Sequence, residues 1–293
     1  MEKTIGVIGF GVVGGATAEF FRRMGHNVLI KDQDPVAMDR AHAQGYGALE
    51  AGSLTDAIFV CVPETVVPEA LRGAPVSPVT VIRSSVQPGT TERMSQELGR
   101  PLVHMPEFLK EATALWDVLN PNFIIVGAND AVVGHQVEKL VETAMVPVIT
   151  VSTDVSEMVK LTMNCYLHTI ISFWNEMHLI CETIGVPSHL VGRLCSQDPR
   201  VTEYGANMHG KPAGGRCLPK DLAQMTSFAE SQGYLPEFLK AVELVNHRVA
   251  SAAESTNGKG PLSLPKTSAQ VKHSKNGNTG MAMESNGAAQ QKV

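Results

Sequence analysis

Seven short apolar runs, separated by stretches of helical character, occupy the first half of the chain. They are Thr4–Ile8, Asn27–Lys31, Ala57–Val62, Thr80–Ser84, Leu102–His104, Phe123–Val126 and Val146–Val151. The runs lack the period-two alternation of a strand with one wet face, which suits strands covered on both faces. Strand–helix alternation of this kind predicts an α/β fold with a doubly wound, mostly parallel sheet over residues 1–152.

Residues 153–253 read differently. The spacing predicts one long central helix, capped by Asp154 and running to about Ile184. Its apolar positions (Met158, Leu161, Leu167, Ile170, Ile171, Trp174, Met177, Ile180 and Ile184) exceed one narrow stripe, so burial on several sides is expected. Helices over 189–196, 218–231 and 236–249 would complete an all-helical second domain. Residues 254–293 are rich in Gly, Ser, Asn, Gln and Lys and hold no Phe, Trp or Tyr. Such a composition cannot offset the entropy of ordering, so a disordered tail is expected.

Bulk properties narrow the setting. The formal charge is −5 over 293 residues with both signs dispersed, which argues against nucleic acid as a partner. The longest apolar runs are strand-length, short of the roughly 20 residues that span a bilayer. The first run begins at Thr4, which leaves no room for a signal peptide. Five cysteines form no disulfide framework, so reduced thiols and a cytoplasmic location are expected.

The first run leads into Gly9-Phe10-Gly11-Val12-Val13-Gly14 and then a helix. Gly9 permits a tight turn, Gly11 lets the backbone approach a pyrophosphate, and Gly14 lets helix and strand pack closely. The helix start then offers unsatisfied N–H groups to phosphate. Asp32, 18 residues after Gly14 and beside Lys31, can bind a ribose 2′-hydroxyl and would repel a 2′-phosphate. This pattern favours NAD over NADP. Asp34 is a second candidate for the ribose role.

Four further segments carry chemistry: Arg83–Thr91, Met105–Glu111, the pair Lys160 and Asn164 on one helical face, and Gly214–Asp221. Cys217 is expected at a helix start beside Arg216 and near Lys220, where positive potential lowers a thiol pKa and favours the nucleophilic thiolate. Glu107 and Asp221 can relay protons. Taken singly, Cys217 also reads as a packing residue, Lys160 as a surface lysine, and Glu107 with Glu111 as a solvated pair.

Together these segments resemble the UDP-glucose/GDP-mannose 6-dehydrogenase family. The likeness runs from Lys3 to about Arg248. It rests on the GxGxxG turn, Ser-Ser-Val-x-Pro-Gly-Thr, Pro-Glu-Phe-Leu-x-Glu, Lys-x3-Asn, Gly-Gly-x-Cys-x-Pro-Lys-Asp, and Asn246. It implies a Rossmann sheet followed by a helical domain that forms a homodimer through the long helix. It also implies a four-electron oxidation of a nucleotide sugar to its uronic acid. One NAD takes hydride from the alcohol, cysteine adds to the aldehyde, a second NAD takes hydride from the thiohemiacetal, and water cleaves the thioester. By position, Cys217 is then the nucleophile and Lys160 steadies the oxyanion, with Asn164 beside it. Glu107 and Asp221 manage protons and water, and Ser85 matches a threonine near the nicotinamide.

Implied cofactor contacts are Gly9, Phe10, Gly11, Val12, Val13, Gly14, Asp32, Val62, Pro63, Ser85, Glu111 and Lys220. Implied substrate contacts are Glu107, Phe108, Leu109, Lys110, Lys160, Asn164, Gly214, Gly215 and Cys217. Members usually continue into a C-terminal substrate-binding domain, which this sequence is expected to lack. Ala213, Glu64, Ser85 and Arg216 depart from usual residues. Two other readings fit the same residues: a two-electron hydroxy-acid dehydrogenase, and a non-catalytic NAD-binding homologue.

Overall fold

The computed structural model describes residues 1–255. Eight strands form one sheet: β1 (Thr4–Ile8), β2 (Asn27–Lys31), β3 (Gly47–Ala48), β4 (Ala57–Val60), β5 (Thr80–Ile82), β6 (Val103–His104), β7 (Ile124–Ala128) and β8 (Val148–Val151). Their order is β3-β2-β1-β4-β5-β6-β7-β8. Every neighbouring pair is parallel except β6 with β7. The chain winds outward in both directions from β1 and β4, so a crevice opens at their carboxyl ends.

Six helices accompany the sheet: α1 (Val12–Arg23), α2 (Pro35–Ala43), α3 (Val67–Arg72), α4 (Thr90–Leu98), α5 (Ala114–Leu119) and α6 (Ala131–Val141). Ile5, Val7 and Phe59 pack into one core with Ala18, Phe20 and Phe21 of α1. Ile8, Ile58, Val60 and Ile82 pack into a second core with Leu71 of α3 and Met94 of α4. Successive strand residues thus enter opposite cores, which is why the runs carry no polar alternation.

Two differences from the sequence expectation concern strand ends. β3 is two residues long and carries no apolar run. The runs at β4 and β5 outlast their ladders: Val62 and Ser84 lie beyond them, joined by the Ser84 hydroxyl donating to the Val62 carbonyl at 2.5 Å.

Five helices follow the sheet: α7 (Thr153–Ile184), α8 (Ser188–Cys195), α9 (Glu203–Ala206), α10 (Cys217–Ser231) and α11 (Glu237–Ser255). The cap of α7 is Ser152, with Asp154 inside the first turn, so the expected Asp154 cap is corrected. Gly185, at φ 70°, ends the helix. The apolar burial expected on several sides is met only in part within the single chain. Leu161, Ile171 and Trp174 are buried, but Met158, Ile180 and Ile184 are exposed in the single chain. The covered face of α7 is largely polar: Ser156, Glu157, Lys160, Asn164, His168, Ser172 and Asn175. α10 and α11 pack on α7 around Cys165, Leu222 and Val242. The tail expected to be disordered lies, but for its first two residues, outside the described residues.

Candidate functional site

The glycine turn fits a dinucleotide. Gly9 has φ +93°, and a Cβ there would stand 2.5 Å from the Cys61 carbonyl oxygen. A Cβ on Gly14 would fall 1.8 Å from the Gly9 carbonyl oxygen. A Cβ on Gly11 would meet nothing within 4 Å, so that backbone faces open space. Gly11 caps α1 without any side-chain hydrogen bond, which leaves the first N–H groups free for an anion.

The carboxylate of Asp32 accepts the Phe10 N–H at 2.5 Å and the Asp34 N–H at 2.9 Å. It is held at the edge of the turn with lone pairs left for a ribose hydroxyl. Asp34 instead caps α2, accepting the Val36 N–H at 2.9 Å. Lys31 turns away, its amine donating to the Gly73 carbonyl at 3.0 Å. Phe10, Gly11, Val12, Arg40, Glu111 and Arg216 are among the residues lining a cleft of about 740 Å³. Arg40 donates to the Phe10 carbonyl. The sequence marked Arg216 only as an unusual neighbour of Cys217. Its place on the cofactor side of the cleft comes from the fold.

Lys160, 3% exposed, donates to the backbone carbonyl of Glu107 at 2.7 Å and pairs with its carboxylate at 3.0 Å. Glu107 also accepts the Leu109 N–H at 2.7 Å, and the Lys160 ammonium stands 5.5 Å from the centre of the Phe108 ring. Asn164 donates to Asp221 at 2.5 Å. Asp221 is fully buried and also holds Lys220 at 2.6 Å, while Lys220 reaches Glu64 at 3.5 Å. Burial pulls the Lys220 pKa down, but Asp221 and Glu64 outweigh it and raise it. The charge that Glu64 adds beside the crevice is thus answered by α10.

Cys217 is the first residue of α10, after Gly215 at φ +75°. Asn246 of α11 fixes the approach by bracketing Ala213: its side chain accepts the Ala213 N–H at 2.7 Å and donates to the Ala213 carbonyl at 3.0 Å. The thiol lies in the field of Glu107, Lys160, Asp221 and Lys220. Its pKa is raised, which corrects the expected lowering. Desolvation is the first cause even though the residue as a whole is exposed. Glu107 adds to the rise, Lys160 opposes it, Asp221 adds to it again, and Lys220 opposes it. The two ammonium groups are already paired with those carboxylates, so their positive potential at sulfur is largely cancelled.

Ser85 is half-buried in the segment that joins β5 to α4. Two buried contacts behind that segment were not legible in the sequence. Glu157 of α7 accepts the Gly89 N–H at 2.6 Å, the Thr91 N–H at 2.7 Å and the Thr91 hydroxyl at 2.6 Å. The His104 ring accepts the Ser156 hydroxyl at 2.8 Å and donates to the Ser84 carbonyl at 3.3 Å. Burial drives the His104 pKa from 6.5 to about 3. The unfolded chain therefore binds a proton that the folded chain refuses. Stability present above pH 6.5 is lost as pH falls toward 3. Between pH 6.5 and about pH 5.5 this residue should remove about 1 kcal/mol. His104→Asn should flatten that slope in urea unfolding at the two pH values; an unchanged slope would contradict the assignment.

Among the described residues, no group of three or more His, Cys, Asp or Glu side chains is placed to hold a metal ion. No described helix is long and apolar enough to cross a membrane.

Sheet, glycine turn and polar crevice define a dinucleotide-binding protein with a thiol, an ammonium group and two buried carboxylates grouped near the crevice. Residues 62–145 match the NAD-binding domain of the UDP-glucose/GDP-mannose dehydrogenase family, and residues 154–248 match its central domain. The UDP-glucose 6-dehydrogenase AglM of Haloferax volcanii is 30% identical over 83% of this chain and 69% of its own length. The UDP-glucose 6-dehydrogenase YwqF of Bacillus subtilis is 30% identical over 58% of this chain, but the match spans only 40% of that relative. A UDP-glucose dehydrogenase structure from Pyrobaculum islandicum superposes with a TM-score of 0.76 at 26% identity, covering 88% of this chain and 72% of that one. The chain belongs to the UDP-glucose/GDP-mannose dehydrogenase family.

Proposed function

We propose that the protein oxidises a nucleotide sugar, with UDP-glucose the first substrate to test, to its uronic acid through a covalent intermediate on Cys217. The observation that carries this reading is the buried cluster in which Lys160 pairs with Glu107 at 3.0 Å and Asn164 donates to Asp221 at 2.5 Å, on the helix that Cys217 opens. Residues 1–152 serve as the NAD-binding domain and 153–253 as the helical domain that carries the thiol. Gly9 to Gly14, Asp32, Val62, Pro63, Glu111, Lys220 and Arg216 would hold NAD, which when bound supplies a hydride acceptor.

The protein's own groups do the rest. Lys160 places positive charge where a substrate oxygen becomes anionic, and Asn164 adds a donor beside it. The sulfur of Cys217 forms a C–S bond to the aldehyde carbon, and its proton leaves to the Glu107 carboxylate or to solvent. The adduct is a thiohemiacetal, which becomes a thioester only once its carbon gives up hydride to a second bound NAD; water, positioned by Glu107, Asp221 and Ser85, then adds to the thioester carbon. The C–S bond then breaks, the thiol regains a proton, and the acid departs. Phe108, Leu109, Lys110, Gly214 and Gly215 border the substrate.

A screen of NADH release over nucleotide sugars tests the reading. Two NADH per acid formed is the expected result. One NADH per substrate would point to two-electron oxidation. Thermal stabilisation by NAD without turnover of any nucleotide sugar would point to a non-catalytic homologue. We further propose a cytoplasmic homodimer in which a two-fold axis covers exposed Met158, Phe173, Ile180 and Ile184 of α7. Sedimentation equilibrium showing a monomer at micromolar concentration would refute that pairing.

A further inference from the structure

Arg83 follows β5 and is 7% exposed, yet its guanidinium makes no hydrogen bond or ion pair with any described residue. Its Nε is sealed from solvent without a partner. The two buried or half-buried lysines nearby are answered: Lys160 by Glu107, Lys220 by Asp221 and Glu64. A buried guanidinium without a hydrogen-bonded partner is costly, and an anion brought by a ligand would remove that cost.

Arg83 lines a cavity of about 360 Å³, within the usual size range of small-molecule sites. Its walls include five aromatic side chains: Phe20 and Phe21 of α1, Trp116 of α5, Phe108 and Phe123. The two carboxylates that border it are engaged. Glu107 is held by Lys160 and the Leu109 N–H, and Asp117 accepts the Lys110 N–H at 2.8 Å and the Thr113 hydroxyl at 2.8 Å. Lys110 and Asn120 line the same cavity and are exposed, which gives a ligand a way in. Cys217, Asn164, Asp221 and Ser85 do not line it, so the cavity is separate from the thiol and touches the proposed reaction site only through the Glu107–Lys110 segment.

We propose that this cavity binds a small aromatic carboxylate, its carboxylate gripped by Arg83 and its ring packed among the aromatic walls. A guanidinium fork matches a carboxylate in two parallel hydrogen bonds. The carboxylate of Glu107 in the same wall disfavours the second negative charge of a phosphate or phosphonate. The aromatic walls suit a planar ring of the same kind. The inference stands on the cavity alone and does not depend on sugar oxidation.

The test titrates the full chain with 3-phenylpropionate, following the thermal midpoint and Trp116 fluorescence. Saturable stabilisation is expected, with at least about tenfold weaker binding of the neutral amide and of the matching phosphonate dianion, a free-energy gap of about 1.4 kcal/mol. Arg83→Met should weaken carboxylate binding at least tenfold while leaving the NAD-induced rise in midpoint intact. Equal binding of acid and amide, undiminished binding to Arg83→Met, or no saturation by the acid at about 10 mM, a Kd worth under 3 kcal/mol, would each overturn the proposal. If Arg83→Met does not fold, the acid–amide comparison on the unaltered chain decides it.

Discussion

Replacing Cys217 with serine is expected to cut uronic acid formation by about a thousandfold or more, the scale seen when a covalent nucleophile is removed. The hydroxyl is similar in size but a far poorer nucleophile, so the first oxidation should survive and the second should stall. Product analysis should then find aldehyde with one NADH per substrate. The raised pKa of the thiol adds a pH signature. At neutral pH the resting sulfur carries its proton, so turnover of the unaltered protein should climb with pH until the thiol ionises, and the variant should lose that climb. Acid formation at the original rate in Cys217→Ser would defeat the covalent mechanism and leave the two-electron or non-catalytic readings.

The largest effect on stability is expected from Glu157→Ala. Its carboxylate is fully buried and accepts three hydrogen bonds from Gly89 and Thr91. Truncation strands two N–H groups and a hydroxyl where water does not reach, at a cost of about 3 kcal/mol. For a chain of this length that corresponds to a fall of roughly 10 °C in Tm. Burial raises the pKa of Glu157 despite those three donors, so its charged form is not favoured by its surroundings. Glu157→Gln, which keeps one acceptor oxygen and removes the charge, should therefore lose only about half as much. Calorimetry of both variants checks the ranking, and an Ala variant as stable as the parent would show that the latch between α7 and the Ser85–Thr91 turn contributes nothing.

The residues that proved legible share a property: their role is set by near neighbours in the chain. Gly14 is needed because a Cβ would strike the Gly9 carbonyl of the same strand–turn–helix unit, and Gly9 takes a positive φ at the turn itself. The central strands announce themselves because both of their faces enter a core. The face of α7 was misjudged for the opposite reason. Its covered side is lined by Glu157, Lys160 and Asn164, polar groups buried only because Thr91, Glu107 and Asp221 arrive from distant parts of the chain to pair with them. The apolar Ile180 and Ile184, counted as core by spacing, face outward in the single chain.

Hydrophobic pattern and glycine sterics act over a few residues, so the longer strands, the dinucleotide turn and the identities of the reactive groups could be read along the chain. How those groups are charged and paired depends on contacts made on folding. The pKa of the Cys217 thiol is raised, Lys160 is shared between the backbone and the carboxylate of Glu107, and Arg83 faces a cavity without a hydrogen-bonded partner. Electrostatic fields and burial depend on what folding brings within a few ångströms, and the order of residues along the chain does not state that.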